Sequence, residues 1–87
     1  MSEGTSFEIE LCGRLADADG PLVAVALGGE AASIGDLKRA LAQCYPALGE
    51  EMMQRRIAAC VDDAIVPDSH VVRMGQRIAL FPPLSGG

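Results

Sequence analysis

Apolar and polar residues alternate at the start of the chain. Phe7, Ile9 and Leu11 interleave with Glu8 and Glu10. A period of two puts the two sets on opposite faces of a half-buried strand. Cys12 continues the polar side, and Arg14 follows a glycine at the strand's end. Asp17-Ala18-Asp19-Gly20-Pro21 has the composition of a turn. Leu22 to Leu27 is an apolar run rich in valine. It predicts a second strand, antiparallel to the first across a loop longer than two residues.

Gly28-Gly29 ends that run and the period changes. Ile34, Leu37, Leu41 and Cys44 recur at helical spacing, with Ala40 beside them. Ser33 is a candidate N-cap, with Asp36 three residues on. Pro46 excludes helical geometry from the residue before it. The spacing predicts one amphipathic helix over 34–45. Cys44 is expected in its buried stripe, and Lys38-Arg39 on a solvated face. Residues 47–56 show no period; Gly49 and Glu50-Glu51 predict a loop, with one helical turn at most around Met52 and Met53.

Ile57 to Val61 predicts a third strand. Asp62-Asp63 predicts a tight turn into a short strand, Ala64 to Val66, and Pro67-Asp68-Ser69 another turn. Val71 and Val72 are expected to dock on the core. Gly75 introduces a final strand, Arg77 to Phe81. Within it Ile78 and Leu80 share the core face, while Ala79 and Phe81 share the other. Phe81 is therefore expected at the surface.

Strand, strand, helix, strand, short strand, strand is an α+β order, with one main helix covering a mixed sheet. The simplest such arrangement is a β-grasp, ubiquitin-like roll. Its first and last strands lie side by side in the middle. Residues 1–81 are expected to form this domain, and 82–87 a flexible C-terminal arm.

Composition narrows the function. The 87 residues suffice for one domain. Only 3% are aromatic, so the core must be aliphatic. The net charge of −5 argues against nucleic acid, which needs a basic footprint. Cys12, Cys44 and Cys60 are odd in number and widely spaced, which fits neither a disulfide framework nor a paired-cysteine metal site. No secretory signal is legible, and the longest apolar run is too short to span a membrane. A soluble, cytoplasmic protein with free thiols is expected. His70 is the single histidine and has no clustered ligands, so no metal is expected. No glycine-rich nucleotide loop is present, and neither Ser33 nor Ser69 sits in a nucleophile motif.

The ending carries the chemistry. Phe81-Pro82-Pro83-Leu84-Ser85-Gly86-Gly87 follows the last strand directly. Pro82 and Pro83 favour an extended, semi-rigid spacer. Gly86 and Gly87 lack a Cβ and can enter a narrow channel. The result is a thin arm with an unhindered carboxylate at its tip. A carboxylate is inert until activated, and an acyl-adenylate makes it an electrophile for sulfur or amine.

This ending, together with Ile57-Ala58-Ala59-Cys60-Val61, resembles the small subunit of molybdopterin synthase, the MoaD type of sulfur carrier. The resemblance spans most of the chain in element order and is specific in the final dozen residues. It implies that an ATP-dependent activating enzyme adenylates Gly87. A sulfur donor then converts the carboxylate to a thiocarboxylate. The arm next enters the large subunit of molybdopterin synthase, in an expected heterotetramer, and passes sulfur to cyclic pyranopterin monophosphate. On this view the chain is a non-catalytic, sulfur-carrying subunit that binds no cofactor itself. Gly86 gives the tip clearance. Phe81, Pro82, Pro83, Leu84 and Ser85 set reach and docking, and Arg14 stands where the family often has an arginine after the first strand, which makes it a candidate interface residue. Three positions depart from the family's pattern: Asp62 for asparagine, Gly75-Gln76 for Gly-Asp, and Leu80 for an aromatic. The alternative is a ubiquitin-like modifier, or a sulfur carrier for thiamine, cysteine or tRNA thiolation. Both readings require adenylation of Gly87.

Overall fold

The structure is a computed structural model that describes residues 6–54 and 56–82. The alternating start forms β1, Ser6–Leu11, with Phe7, Ile9 and Leu11 buried and the residues between them exposed. A 3₁₀ turn, Gly13–Leu15, and a short helix α1, Ala16–Asp19, lead to β2, Leu22–Ala26. β2 returns antiparallel to β1, with Ile9 opposite Val23. The sequence suggested only a turn in this connection. The turn instead folds back, and Leu15 is 3% exposed in the core.

A three-residue strand, β3, Ala31–Ser33, precedes the main helix α2, Ile34–Cys44. Ser33 caps that helix as its type predicts: the Asp36 amide donates to its Oγ at 3.1 Å. The Ile34 and Gly35 amides donate to the carbonyls of His70 and Asp68, each at 2.9 Å. The first turn therefore leaves few donors without a partner. Ile34, Leu37 and Leu41 form the buried stripe.

Residues predicted as a loop form a second helix, α3, Pro46–Gln54. Pro46 both ends α2 and begins α3, because a proline at the first helical position gives up an amide that would have no partner there. Tyr45 between the helices takes an extended φ of −130°. Leu48 of α3 joins the core at 2% exposed. Gly49 lets the helices touch, since a Cβ there would lie 3.0 Å from the Ala42 Cβ.

Four strands complete the chain: β4, Ala58–Val61; β5, Ala64–Val66; β6, Val71–Arg73; and β7, Ile78–Phe81. Asp62 and Asp63 form the β4–β5 turn with φ of 51° and 72°. Paired positive φ values suit a tight hairpin, and aspartate tolerates them. The main sheet has the order β2-β1-β7-β4-β5, and β3 pairs with β6 in a separate ribbon. β1 and β7 run parallel in the centre, as the β-grasp expectation requires. The two longer helices, α2 and α3, lie on one face. The fold is a mixed sheet with two helices, consistent with a ubiquitin-like β-grasp.

Two residues fall elsewhere than expected. Cys44 is exposed, not core. It is the last residue of α2, and Tyr45 turns inward in its place, its hydroxyl donating to the Ala24 carbonyl at 3.0 Å. Lys38 is not on a solvated face. Its side chain is 18% exposed, and Nζ donates to the Ile57 carbonyl at 2.7 Å and to Asp68 Oδ1 at 2.8 Å. It ties α2 to the approach to β4.

Candidate functional site

The root of the C-terminal arm is built by the central strands. β7 is paired on both sides: Leu80 lies opposite Leu11 of β1 and Ala59 of β4, and Phe81 lies opposite Ala58. The Cys12 amide adds a bond to the Leu80 carbonyl at 3.0 Å. A strand bonded along both edges cannot swing without breaking those ladders, so Phe81 and Pro82 start from a fixed base.

Gly13 makes room for the chain to leave. Its φ is +61°, and a Cβ would sit 3.2 Å from the Pro82 Cγ. Both facts favour glycine. Arg14 follows directly, so the structure brings it to the same end of the sheet as Phe81 and Pro82. Pro83, Leu84, Ser85, Gly86 and Gly87 lie outside the described residues.

The sheet face opposite the helices carries exposed apolar residues interrupted by Glu10. Cross-strand pairing lines up Leu22, Glu10, Ala79, Cys60 and Ile65 in one row across all five strands. Leu22 is 58% exposed and Ile65 78%. Phe81 stands one step further along β7, beside Ala58, and is 36% exposed. Sequence reasoning found Phe81 from alternation within one strand. It missed Leu22 and Ile65, because only the register shows that they share its surface.

Two of the three thiols, Cys12 and Cys60, lie close to this surface. Cys12 is half-buried, as is Cys60. Burial pushes the Cys12 thiol up, and the charge of Glu10 and the neighbouring Cys60 push the same way. A protonated thiol is a poor nucleophile, so this environment does not activate Cys12. Among the described residues no group of three or more His, Cys, Asp or Glu could hold a metal ion. Among them also, no helix is long and apolar enough to cross a membrane.

The ThiS family pattern matches residues 9–87. The chain belongs to the ThiS family. This ThiS-family chain is similar in structure to SAMP1 from Haloferax volcanii. The two share 31% identity at a TM-score of 0.76, over 94% of this chain and 99% of that one. A candidate molybdopterin converting factor, subunit 1, from Pyrococcus furiosus matches with a TM-score of 0.75 and 16% identity, over 92% of this chain and 99% of that one. The small archaeal modifier protein 1 from Methanosarcina acetivorans matches at 0.72 and 18%, over 99% and 100%. The last two likenesses show the fold alone. No curated protein matches the chain.

Proposed function

We propose that the chain is a ubiquitin-like modifier of the small archaeal modifier type, working through its C-terminal glycine. The 31% identity to SAMP1 across 94% of the chain carries this reading. An oxygen of the Gly87 carboxylate attacks the α-phosphate of ATP in an activating enzyme and releases pyrophosphate. A lysine amine of a target protein then displaces AMP, leaving an amide and a proton. Sulfide equivalents from a sulfur donor can displace AMP in the same way and leave a thiocarboxylate. ATP is the activating enzyme's substrate. Phe81, with Leu22 and Ile65, offers the docking surface for that enzyme. Arg14 and Pro82 flank the arm's root, and Pro83, Leu84 and Ser85 set its reach.

A second reading rests on Phe81-Pro82-Pro83 before the terminal Gly-Gly. That ending supports service as the small subunit of molybdopterin synthase, bound to a large subunit. The similar fold of the Pyrococcus furiosus protein is compatible with it.

One experiment separates the two. The tagged chain is expressed in its own host and its partners are analysed by mass spectrometry. Trypsin cuts after Arg77, so a modified lysine would carry the Ile78–Gly87 remnant. Such lysines on several proteins, absent from a chain lacking Gly87, establish the modifier. A mass gain equal to one oxygen replaced by sulfur at Gly87, with no lysine adducts, favours the carrier. Neither product, in cells where the activating enzyme is active, overturns both readings.

A further inference from the structure

A second surface lies on the helical layer and meets the surface of Phe81 at Ala58. Gly35, Lys38, Arg39 and Ala42 on α2 face Gly49, Met52 and Met53 on α3 across an open groove of about 830 Å³. The spacings are those of one stripe on each helix. Arg56, Ile57 and Ala58 close one end, where β4 begins.

The floor and the rim differ in chemistry. The floor is alanine, glycine, methionine and isoleucine. Met53 is 88% exposed, so its thioether chain is available to adapt to an incoming surface. The rim carries Lys38, Arg39 and Arg56 against one carboxylate, Asp68, in a chain whose net charge is −5. Lys38 is already committed to Asp68 and the Ile57 carbonyl. Arg39 pairs with Asp36 in a solvent-exposed i,i+3 bridge, a contact readily exchanged for another carboxylate. Arg56 is exposed and extends the basic rim.

We propose that the groove docks an acidic amphipathic helix of a partner protein, its apolar stripe over Ala42 and Met52 and its carboxylates on Arg39 and Arg56. The open shape, with no enclosed cavity, suits a third helix lying along two facing stripes. Ala58 at the groove's end is cross-strand from Phe81, so such a partner sits beside the arm's root. The site does not depend on activation of Gly87.

The test is an amide NMR titration of the full chain with two synthetic helical peptides. Both carry a leucine stripe; one is flanked by glutamates and the other by lysines. The glutamate peptide should shift amides in 35–42, 49–53 and 56–58, and weaken as salt is added. Its affinity should fall roughly tenfold in an Arg39→Glu, Arg56→Glu chain, equivalent to one step of the affinity scale. Both sites are exposed, so the variant's own spectrum should match wild type. Should it not, Arg56→Gln alone should weaken binding in the same direction. Equal binding of the two peptides, shifts confined to the open sheet face, or no shifts at millimolar glutamate peptide would overturn the proposal.

Discussion

The Gln76 amide donates to Asp62 Oδ2 at 2.9 Å, so two positions at which the chain departs from the molybdopterin-type carriers are bonded to each other. The Arg77 amide also donates to Asp62 Oδ1, at 3.2 Å, and the Arg73 amide donates to Gln76 Oε1, at 2.7 Å. Asp62 thus joins the β4–β5 turn to the approach to β7, the strand that carries the arm. The two departures form one local unit, not two separate changes.

That unit has a pH signature. The bonds from Gln76 and the Arg77 backbone hold the Asp62 carboxyl below its ordinary 3.8. A depressed carboxyl stabilises the fold above its unfolded pKa, and the contribution is lost as pH falls through the lower folded value. Wild type should therefore lose more stability than Asp62→Asn between about pH 4 and about pH 2. Asparagine tolerates the positive φ of this turn, so the variant should fold. Urea midpoints across that range are the measurement. Parallel acid limbs for the two proteins would refute the assignment.

Gly13→Ala should be destabilising. Its φ of +61° and the 3.2 Å approach to Pro82 both oppose a Cβ. A loss of about 1 kcal/mol is expected from the conformation alone, with more if Pro82 must move. Urea denaturation reads the loss. Adenylation at Gly87 should slow as well, because the arm would start from a displaced root. A variant as stable as wild type would show that Pro82 yields freely.

Phe81→Ala separates docking from folding. Phe81 remains 36% exposed, so its truncation should cost no more than about 1 kcal/mol, well short of a core phenylalanine. Binding to the activating enzyme should weaken by roughly tenfold or more if Phe81 anchors that interface. Calorimetric titration checks the second figure and thermal melting the first. A large drop in melting temperature with unchanged binding would move Phe81 into the domain's own stability.

The arm's tip should tolerate nothing larger than glycine. An alanine added after Gly87, or Gly86→Val, should abolish product formation and leave the circular dichroism spectrum and melting temperature unchanged. Intact mass after incubation with the activating enzyme and a sulfur source reports the outcome. Full activity of the extended chain would show that the terminus is not the reacting group.

Lys38→Met should destabilise by about 1–2 kcal/mol, since it leaves the Ile57 carbonyl without its donor while Asp68 can turn to water. Lys38→Arg should recover part of that loss. Equal stability of all three proteins would reduce the Lys38 contacts to surface decoration.

The sequence alone determined the local elements and the chemistry at the terminus. Period two marked β1, helical spacing with a serine cap marked α2, and Asp62-Asp63 marked the hairpin. The order of those elements was enough for the β-grasp, and the bare glycine ending pointed to carrier chemistry. Each is a property of neighbouring residues, which one chain displays directly. Tertiary structure decided the rest. β3 has three residues, too few to show a period, and it exists through pairing with Val71–Arg73, far along the chain. α3 has a weak apolar stripe and glycine at Gly49, so its helix is held by packing against Ala42. Lys38 looked like a surface charge until Asp68 and the Ile57 carbonyl closed on it. Leu22, Ile65 and Phe81 became one surface only through the register of five strands. Contacts between distant residues depend on how the chain closes on itself, and no local pattern encodes them one residue at a time.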